Sequence, residues 1–240
     1  MESRAGQGLL RQRGVVLRRK DSPEGNRSVY VLMENEGPMW LLAPGAARGK
    51  VRFGGSTDPL VWGTFHVYRG PNRCYLRDVD VRRDFWSLRA SSQKIRQAVK
   101  WSVSLVRHTL PGHACDDLLP VFFWSLSLLE EPGIRDDLSD WRFYWRWLRS
   151  WGLAPDLNRC QGCGVSLSEA FFSGESLYCG KCGQRTGAGI RLEARDLCVL
   201  TAAAYLSYDD LLKNAGQLMI QPETVRSCTR LLENTLAERA

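Results

Sequence analysis

Two pairs of closely spaced cysteines constrain the fold of this chain more than any other feature. The motifs CQGC, at residues 160–163, and CGKC, at residues 179–182, are separated by fifteen residues. This spacing is typical of a four-thiolate zinc site. Because four thiolates complete a tetrahedron and leave no position for water or substrate, it predicts a structural zinc ion. The predicted ligands are Cys160, Cys163, Cys179 and Cys182.

Each cysteine pair is followed by a glycine, Gly164 or Gly183. In zinc knuckles the backbone turns back after the second cysteine and brings N–H groups towards the sulfurs, and glycine permits that turn. A redox role for one pair is a competing interpretation. A zinc enzyme is another, but it needs an open ligand position and a nearby histidine or carboxylate. The histidines, His66, His108 and His113, are distant in sequence from both pairs.

Free thiols fit a reducing compartment. The first fourteen residues contain no apolar segment typical of a secretory signal. The longest apolar stretch, 118–129, is shorter than the roughly 20 residues that span a bilayer. We therefore expect a soluble intracellular protein with no membrane contact. The four remaining cysteines are expected to be small core residues; they are Cys74, Cys115, Cys198 and Cys228.

The chain changes from strand-like to helical patterning after its first third. Five short runs of strand-forming residues, separated by turn signals, favour a small antiparallel barrel. The runs lie at 15–18, 28–33, 39–42, 62–68 and 74–79. Apolar residues then recur at helical spacing, with helices expected at 95–109, 120–129, 140–151, 193–206 and from Pro222 onward.

These patterns predict an α+β protein of two domains. A barrel domain is expected at residues 1–86 and an α-helical domain at residues 87–240. The four-cysteine zinc module, residues 160–183, is inserted in the helical domain.

Positive charge is concentrated in the barrel domain. The chain has a net charge of +7; residues 1–86 hold 15 Lys and Arg against nine Asp and Glu, whereas residues 87–240 hold 18 against 17. A nucleic-acid-binding barrel is the favoured interpretation, and a merely basic, soluble surface is the alternative. The candidate DNA contacts are Arg11, Arg13, Arg18, Arg19 and Lys20 around the first strand, and Arg48, Lys50 and Arg52 in a glycine-rich run.

The glycine-rich run suits a backbone-contacting role. If it is extended, its three alternating cations fall on one face, about 6 to 7 Å apart, close to the phosphate spacing of a single strand. A phosphate loop is excluded because one spacer residue is missing and Val51 replaces the Ser/Thr that binds magnesium. Four aromatic residues can stack on bases, although core packing is favoured for them: Phe53, Phe65, Tyr68 and Tyr75.

The helix expected at residues 140–151 is dense in arginine and tryptophan. Offsets of four and three residues place Arg142, Arg146 and Arg149 on one face, flanked by Trp145. Such a face can hold an acidic, aromatic-bearing peptide, so a zinc-containing protein-interaction adaptor is the alternative function. The other interpretation is a solvated polar face.

In this order of elements the chain resembles the RecO family of bacterial DNA repair proteins. The likeness is most specific at residues 148–164, LRSWGLAPDLNRCQGCG, where a leucine-rich helix runs through glycine and proline into the first cysteine pair; residues 42–52 give a second match.

The resemblance implies an OB-fold barrel and a non-enzymatic recombination mediator. Such a protein binds single- and double-stranded DNA and anneals complementary strands. It works with RecR and with the acidic tail of single-strand DNA-binding protein, and it helps to load the recombinase. The implied location is the bacterial cytosol, in association with the nucleoid.

Overall fold

The computed structural model of the chain describes residues 7–48, 53–187 and 189–239. It divides into two compact units, Met1–Pro120 and Val121–Ala240. None of the helices in these described ranges is long and apolar enough to cross a bilayer.

The first unit contains a closed, five-stranded barrel. Its strands are β1 (Gly8–Asp21), β2 (Arg27–Met33), β3 (Gly37–Ala43), β4 (Trp62–Arg69) and β5 (Cys74–Arg83). They are paired in the order β1-β2-β3-β5-β4, and β1 closes onto β4. Neighbouring strands are antiparallel except β3 and β5, which run parallel and share two register pairs, one of them joining Leu42 to Tyr75. This is an OB-like barrel.

An apolar core fills the barrel because alternate strand residues point to opposite faces. In β3, Leu41 and Ala43 point inward while Trp40 and Leu42 point outward. Phe53 and Phe65 lie in the core, as favoured from the sequence. The buried cluster consists of Val16, Val29, Val31, Met33, Leu41, Ala43, Phe53, Val61, Phe65, Val67, Leu76 and Val79.

All five predicted strands are confirmed, and one is longer than expected. β1 begins at Gly8, well before the predicted run at 15–18. Its first half alternates exposed and half-buried residues and pairs with β4. The polar sequence Arg11-Gln12-Arg13 conceals this alternation because both faces of the strand are hydrophilic there.

Helix α1 (Ser92–His108) belongs to the first unit. Ser91 caps it by accepting a hydrogen bond from the Lys94 N–H at 3.4 Å. The helix contacts β1 and the 3₁₀ turn Trp86–Ala90, so the compact units divide at Pro120. The domain boundary at residue 86, where the strands give way to helices, remains a prediction.

The second unit is mainly helical. Its elements include α2 (Leu118–Glu130), which starts at the end of the first unit, and α3 (Asp136–Ser150), α4 (Gly180–Thr186), α5 (Ala194–Tyr205), α6 (Tyr208–Asn214) and α7 (Pro222–Arg239). α3 packs against both α5 and α7, and the Trp141 indole N–H donates to the Leu200 carbonyl at 3.0 Å. The expected helices are confirmed.

A small sheet between α3 and α5 was not predicted. β6 (Ala170–Ser173), β7 (Ser176–Tyr178) and β8 (Ile190–Leu192) pair in the order β7-β6-β8. Strands of three or four residues are too short to display a period in the sequence. Phe172 in β6 is buried, and its ring meets the Trp141 ring edge-on at 6.3 Å between centroids. The cysteine module is thereby attached to α3.

Candidate functional site

The four paired cysteines converge into one cluster. Their sulfur atoms all lie within 4.8 Å of one another, and Sγ of Cys163 lies 3.7 Å from Sγ of Cys179. A tetrahedral site with metal–sulfur bonds of about 2.3 Å has sulfur–sulfur edges of about 3.8 Å. The cluster therefore fits a single metal ion held by four thiolates. Among the described residues, no histidine or carboxylate joins this group.

The electrostatics of the cluster also favour a cation. Desolvation raises the thiol pKa of Cys160, but three backbone N–H groups outweigh it and lower this pKa to about 6. They belong to Cys179, Cys163 and Gly162. The thiol pKa of Cys182 is raised to about 12, first by its contact with Cys163. Four thiolates this close repel one another, and a bound cation removes that repulsion.

Two glycines shape the backbone around the cluster in different ways. Gly164 has φ +72°, and its N–H donates to the Cys160 carbonyl at 2.8 Å, so the chain turns back as predicted. Gly183 lies within α4, where a Cβ would come 2.9 Å from the Phe171 side chain. The Gly183 N–H donates to the Cys179 carbonyl at 2.8 Å, as the Gly164 N–H does to Cys160, so the chain turns back here as the first turn of a helix. Glycine is needed at this position because of the Phe171 contact.

Three of the cations predicted to contact DNA are paired with carboxylates. The Nε of Arg13 donates to Glu34 at 2.9 Å, and the Nη2 of Arg11 lies 3.6 Å from Asp80. Arg19 forms an ion pair with Asp58. These three residues are on β1, but their charge is largely compensated within the barrel.

Arg18 and Lys20 differ from their neighbours. Both side chains are exposed, and neither has a carboxylate partner within the part of the chain that the structure describes. The guanidinium carbon of Arg18 lies 6.0 Å from the centre of the Trp40 ring. These two residues are therefore available to a polyanion.

The glycine-rich run is described only at its start. Arg48 is exposed, and its Nε and Nη2 donate to the Glu24 carbonyl at 2.9 and 2.6 Å. The guanidinium therefore rests on the turn between β1 and β2, where its partner is a backbone carbonyl group. Lys50 and Arg52 lie outside the described residues.

A groove of about 1050 Å³ lies on the outer surface of the barrel beside β3. Trp40 lines it with 44% of its surface exposed. The lining also includes Ser28, Leu42, Asn72 and Arg73. Sequence reasoning missed Trp40 as a candidate contact because residues 39–43, MWLLA, are apolar throughout and show no alternation. In the structure Leu41 points into the core, so its neighbour Trp40 points outward.

The exposed arginine face predicted on α3 is wrong for Arg142 and Trp145. Arg142 is 2% exposed and its Nη1 donates to the Ala203 carbonyl at 2.6 Å, while Trp145 is 1% exposed. Arg146 is half-buried and donates to the Ala204 and Leu206 carbonyls at 3.0 and 2.9 Å. These carbonyls lie at the end of α5, where they have no intrahelical partner and attract cations.

Arg149 alone of the predicted α3 set is exposed. Its guanidinium carbon lies 5.5 Å from the Trp145 ring centre and 5.2 Å from that of Tyr205. Tyr205 borders a mostly apolar groove of about 480 Å³, whose lining includes Leu157, Leu197 and Cys198.

Cys198 is exposed, so its predicted place in the core is wrong, whereas Cys228 is buried.

Family models match both units of the chain. The model described as Recombination protein O N terminal matches residues 8–85, and that described as Recombination protein O C terminal matches residues 102–240. The chain belongs to the RecO family. The first RecO model covers the barrel, and the second covers the helical region and the cysteine cluster.

Curated RecO relatives span most of the chain. A DNA repair protein RecO from Heliobacterium modesticaldum is 24% identical over 237 residues, which is 97% of this chain and 85% of the relative. The DNA repair protein RecO of Anaeromyxobacter dehalogenans is 29% identical over 240 residues, covering 94% and 91%. That of Acetivibrio thermocellus is 24% identical over 187 residues, covering 76% and 74%. The chain is a RecO-family DNA repair protein.

Proposed function

We propose that this protein is a recombination mediator without catalytic activity. It binds single- and double-stranded DNA on the barrel, anneals complementary strands, and helps to load the recombinase. It acts together with RecR on strands coated by single-strand DNA-binding protein, in the bacterial cytosol and in association with the nucleoid. Membership of a DNA repair family supports this proposal, as do the exposed cations of the barrel.

The observation that carries the DNA-binding proposal is the pair of exposed cations, Arg18 and Lys20, beside the groove at Trp40. Cations that neutralise phosphates release counterions and weaken the repulsion between two strands. Pairing can then proceed without nucleotide hydrolysis. Arg11, Arg13 and Arg19 contribute less in this proposal because a carboxylate already faces each of them.

Replacing both exposed cations, Arg18→Ala with Lys20→Ala, is expected to weaken DNA binding and slow annealing. Each lost phosphate contact lowers the slope of log K against log salt by about 0.7 for a single strand. The double variant should therefore lose roughly 1.4 from that slope. Titration of a labelled oligonucleotide at several salt concentrations measures it, alongside a strand-annealing assay.

The matched control is Arg195→Ala with Arg230→Ala, which removes two exposed cations from α5 and α7. Net charge changes equally in the two double variants, so a general charge effect would appear in both. A barrel variant with wild-type salt slope and annealing rate would exclude Arg18 and Lys20 as the DNA contact.

We propose that the cysteine cluster holds one structural Zn²⁺. Four thiolates in a tetrahedral arrangement suit zinc or an iron centre, and the closed ligand set offers no position for substrate. The cysteine residues then hold the module between α3 and α5, while DNA contacts lie on the barrel. Replacing the ion with cobalt distinguishes four-thiolate coordination from a set that includes water, since their absorption spectra differ.

A second candidate activity is binding of the acidic tail of single-strand DNA-binding protein. Arg149 beside Tyr205, at the rim of an apolar groove, offers a cation and an aromatic ring to an acidic, apolar peptide. Arg142, Arg146 and Trp145 take no part in this proposal, because they cap α5 or lie in the interior.

Arg149→Glu is expected to weaken binding of an acidic C-terminal peptide about tenfold at low salt, since one attractive charge becomes repulsive. Fluorescence anisotropy of a labelled peptide measures the change. Arg230→Glu, an equal charge change on α7, should bind as tightly as wild type. Equal affinity for the Arg149 variant and wild type would place the peptide elsewhere.

A further inference from the structure

Three aromatic side chains follow one another across the outer surface of the barrel. Trp40 lies on β3, Tyr75 on β5 and Tyr68 on β4, and these strands are neighbours in the sheet. We refer to the three residues as the aromatic belt. Each is at least partly exposed, in contrast to the core aromatics Phe53 and Phe65.

Register pairs connect the members of the belt. Leu42, the next outward residue after Trp40, is paired with Tyr75, and Tyr75 is paired with Tyr68. A Cβ placed on Gly70 would lie 3.5 Å from the Tyr75 ring and 3.8 Å from the Tyr68 ring, so both rings border the same turn. Adjacent strands lie about 4.8 Å apart, so Tyr75 and Tyr68 are direct neighbours, and Trp40 lies two residues, about 6 to 7 Å, along β3 from the residue paired with Tyr75. Successive unpaired bases can span these separations.

Two grooves adjoin at the centre of the belt. The groove of about 1050 Å³ contains Trp40 and Leu42, and a smaller one of about 160 Å³ is lined by Tyr68, Tyr75 and Arg77. The pair formed by Leu42 and Tyr75 joins them. Together they trace a path that crosses β3, β5 and β4 instead of following one strand.

Uncompensated positive charge lies at both ends of this path. At one end Arg18 lies beside Trp40, Lys20 is paired with Ser28 of the larger groove, and Arg73 borders the same groove. At the other end the guanidinium carbon of Arg77 lies 5.4 Å from the Tyr68 ring centre. None of these four cations has a carboxylate partner among the residues that the structure describes.

The outer surface around His66 of β4, Arg11 of β1 and Asp80 of β5 has a different character. There Asp80 lies 2.9 Å from the Nε2 of His66 and 3.6 Å from Arg11, so positive charge is compensated. A polyanion is therefore favoured on the belt and not on this neighbouring surface.

We propose that the belt is a binding path for single-stranded nucleic acid. Unpaired bases stack on Trp40, Tyr75 and Tyr68, and the four flanking cations contact the phosphates. This inference rests on the proposed DNA-binding function and specifies its substrate: bases in a duplex are already stacked on one another, so the belt discriminates in favour of single strands. Stacking on aromatic rings tolerates any sequence, as an annealing protein requires.

The test compares binding of a fluorescent oligo-dT single strand with that of a duplex of equal length, using the full chain. Trp40→Ala is expected to weaken single-strand binding about 5- to 100-fold and to change duplex binding less than about twofold. Tyr68→Ala and Tyr75→Ala should act in the same direction, and Trp40→Phe should retain most of the affinity because it keeps a ring.

Trp124→Ala in α2 is the matched control, since Trp124 and Trp40 are each 44% exposed. Thermal unfolding by circular dichroism verifies that every variant is folded. Equal losses on single strand and duplex, or wild-type affinity in all three belt variants, would overturn the belt. If the belt variants bind normally but Arg18→Ala with Lys20→Ala still loses affinity, the barrel binds DNA without the belt, and only the belt proposal is refuted. Absence of DNA binding by the wild-type chain would instead refute the proposed function.

Discussion

Cys160→Ser is expected to release the metal and unfold the cysteine module. Serine does not replace a thiolate ligand, and structural zinc contributes about 10 to 16 kcal/mol of apparent binding energy in small zinc peptides. The module adds little core of its own, and its buried Phe172 packs on Trp141 of α3. We therefore expect the second unit to lose several kcal/mol of stability, about 4 or more. Metal analysis and thermal unfolding measure the two effects.

Cys198→Ser is the control for this experiment. Cys198 is exposed on α5 and lies outside the cluster, so its replacement should leave both metal content and unfolding temperature unchanged. DNA binding by the Cys160 variant should fall only as far as the variant is unfolded. A Cys160→Ser protein with a full complement of zinc, or one without zinc but as heat-stable as wild type, would contradict the structural role of the ion.

Arg142→Ala is expected to destabilise the second unit by about 3 to 5 kcal/mol, because it leaves a cavity and removes the partner of a buried carbonyl. Burial lowers the pKa of the Arg142 guanidinium, followed by the charge of Arg146. Keeping the buried guanidinium charged therefore costs desolvation free energy. The hydrogen bond to the Ala203 carbonyl and the negative C-terminal end of the α5 dipole offset that cost.

Arg142→Met separates the two contributions. Methionine retains most of the volume but cannot donate to Ala203, so its cost should be smaller, about 1 to 3 kcal/mol. Urea unfolding measures both variants, and Arg230→Ala, at an exposed position on α7, should remain within about 0.5 kcal/mol of wild type. An alanine variant within about 1 kcal/mol of wild type would show that α5 does not depend on this contact.

The cysteine cluster and the barrel were predictable because their signals are local. Thiol spacing defines a four-ligand set, and runs of strand-forming residues between turn signals define the five strands of the barrel. Gly183 shows the limit of local reasoning: its need for glycine comes from the Phe171 ring, which belongs to a three-stranded sheet too small to be recognised in the sequence.

The face of α3 was not predictable in the same way. Helical periodicity identifies which arginines share a face, but it does not specify which element covers that face. Here the end of α5 covers it. Arg142 and Arg146 donate hydrogen bonds to the carbonyl groups of Ala203, Ala204 and Leu206, which lie about sixty positions further along the chain. Two of the three arginines therefore cap the C-terminal end of α5, and Arg149 is the one that stays exposed.

The parallel contact between β3 and β5 gives the barrel one compliant side. It consists of two register pairs, whereas β2 and β3 share seven and β4 and β5 share eight. Separating β3 from β5 therefore breaks fewer backbone hydrogen bonds than opening any neighbouring pair. This seam lies beneath Leu42 and Tyr75, where the two grooves adjoin. The strands of the barrel therefore separate most easily beneath the proposed belt, where bases of different size would stack if that proposal holds.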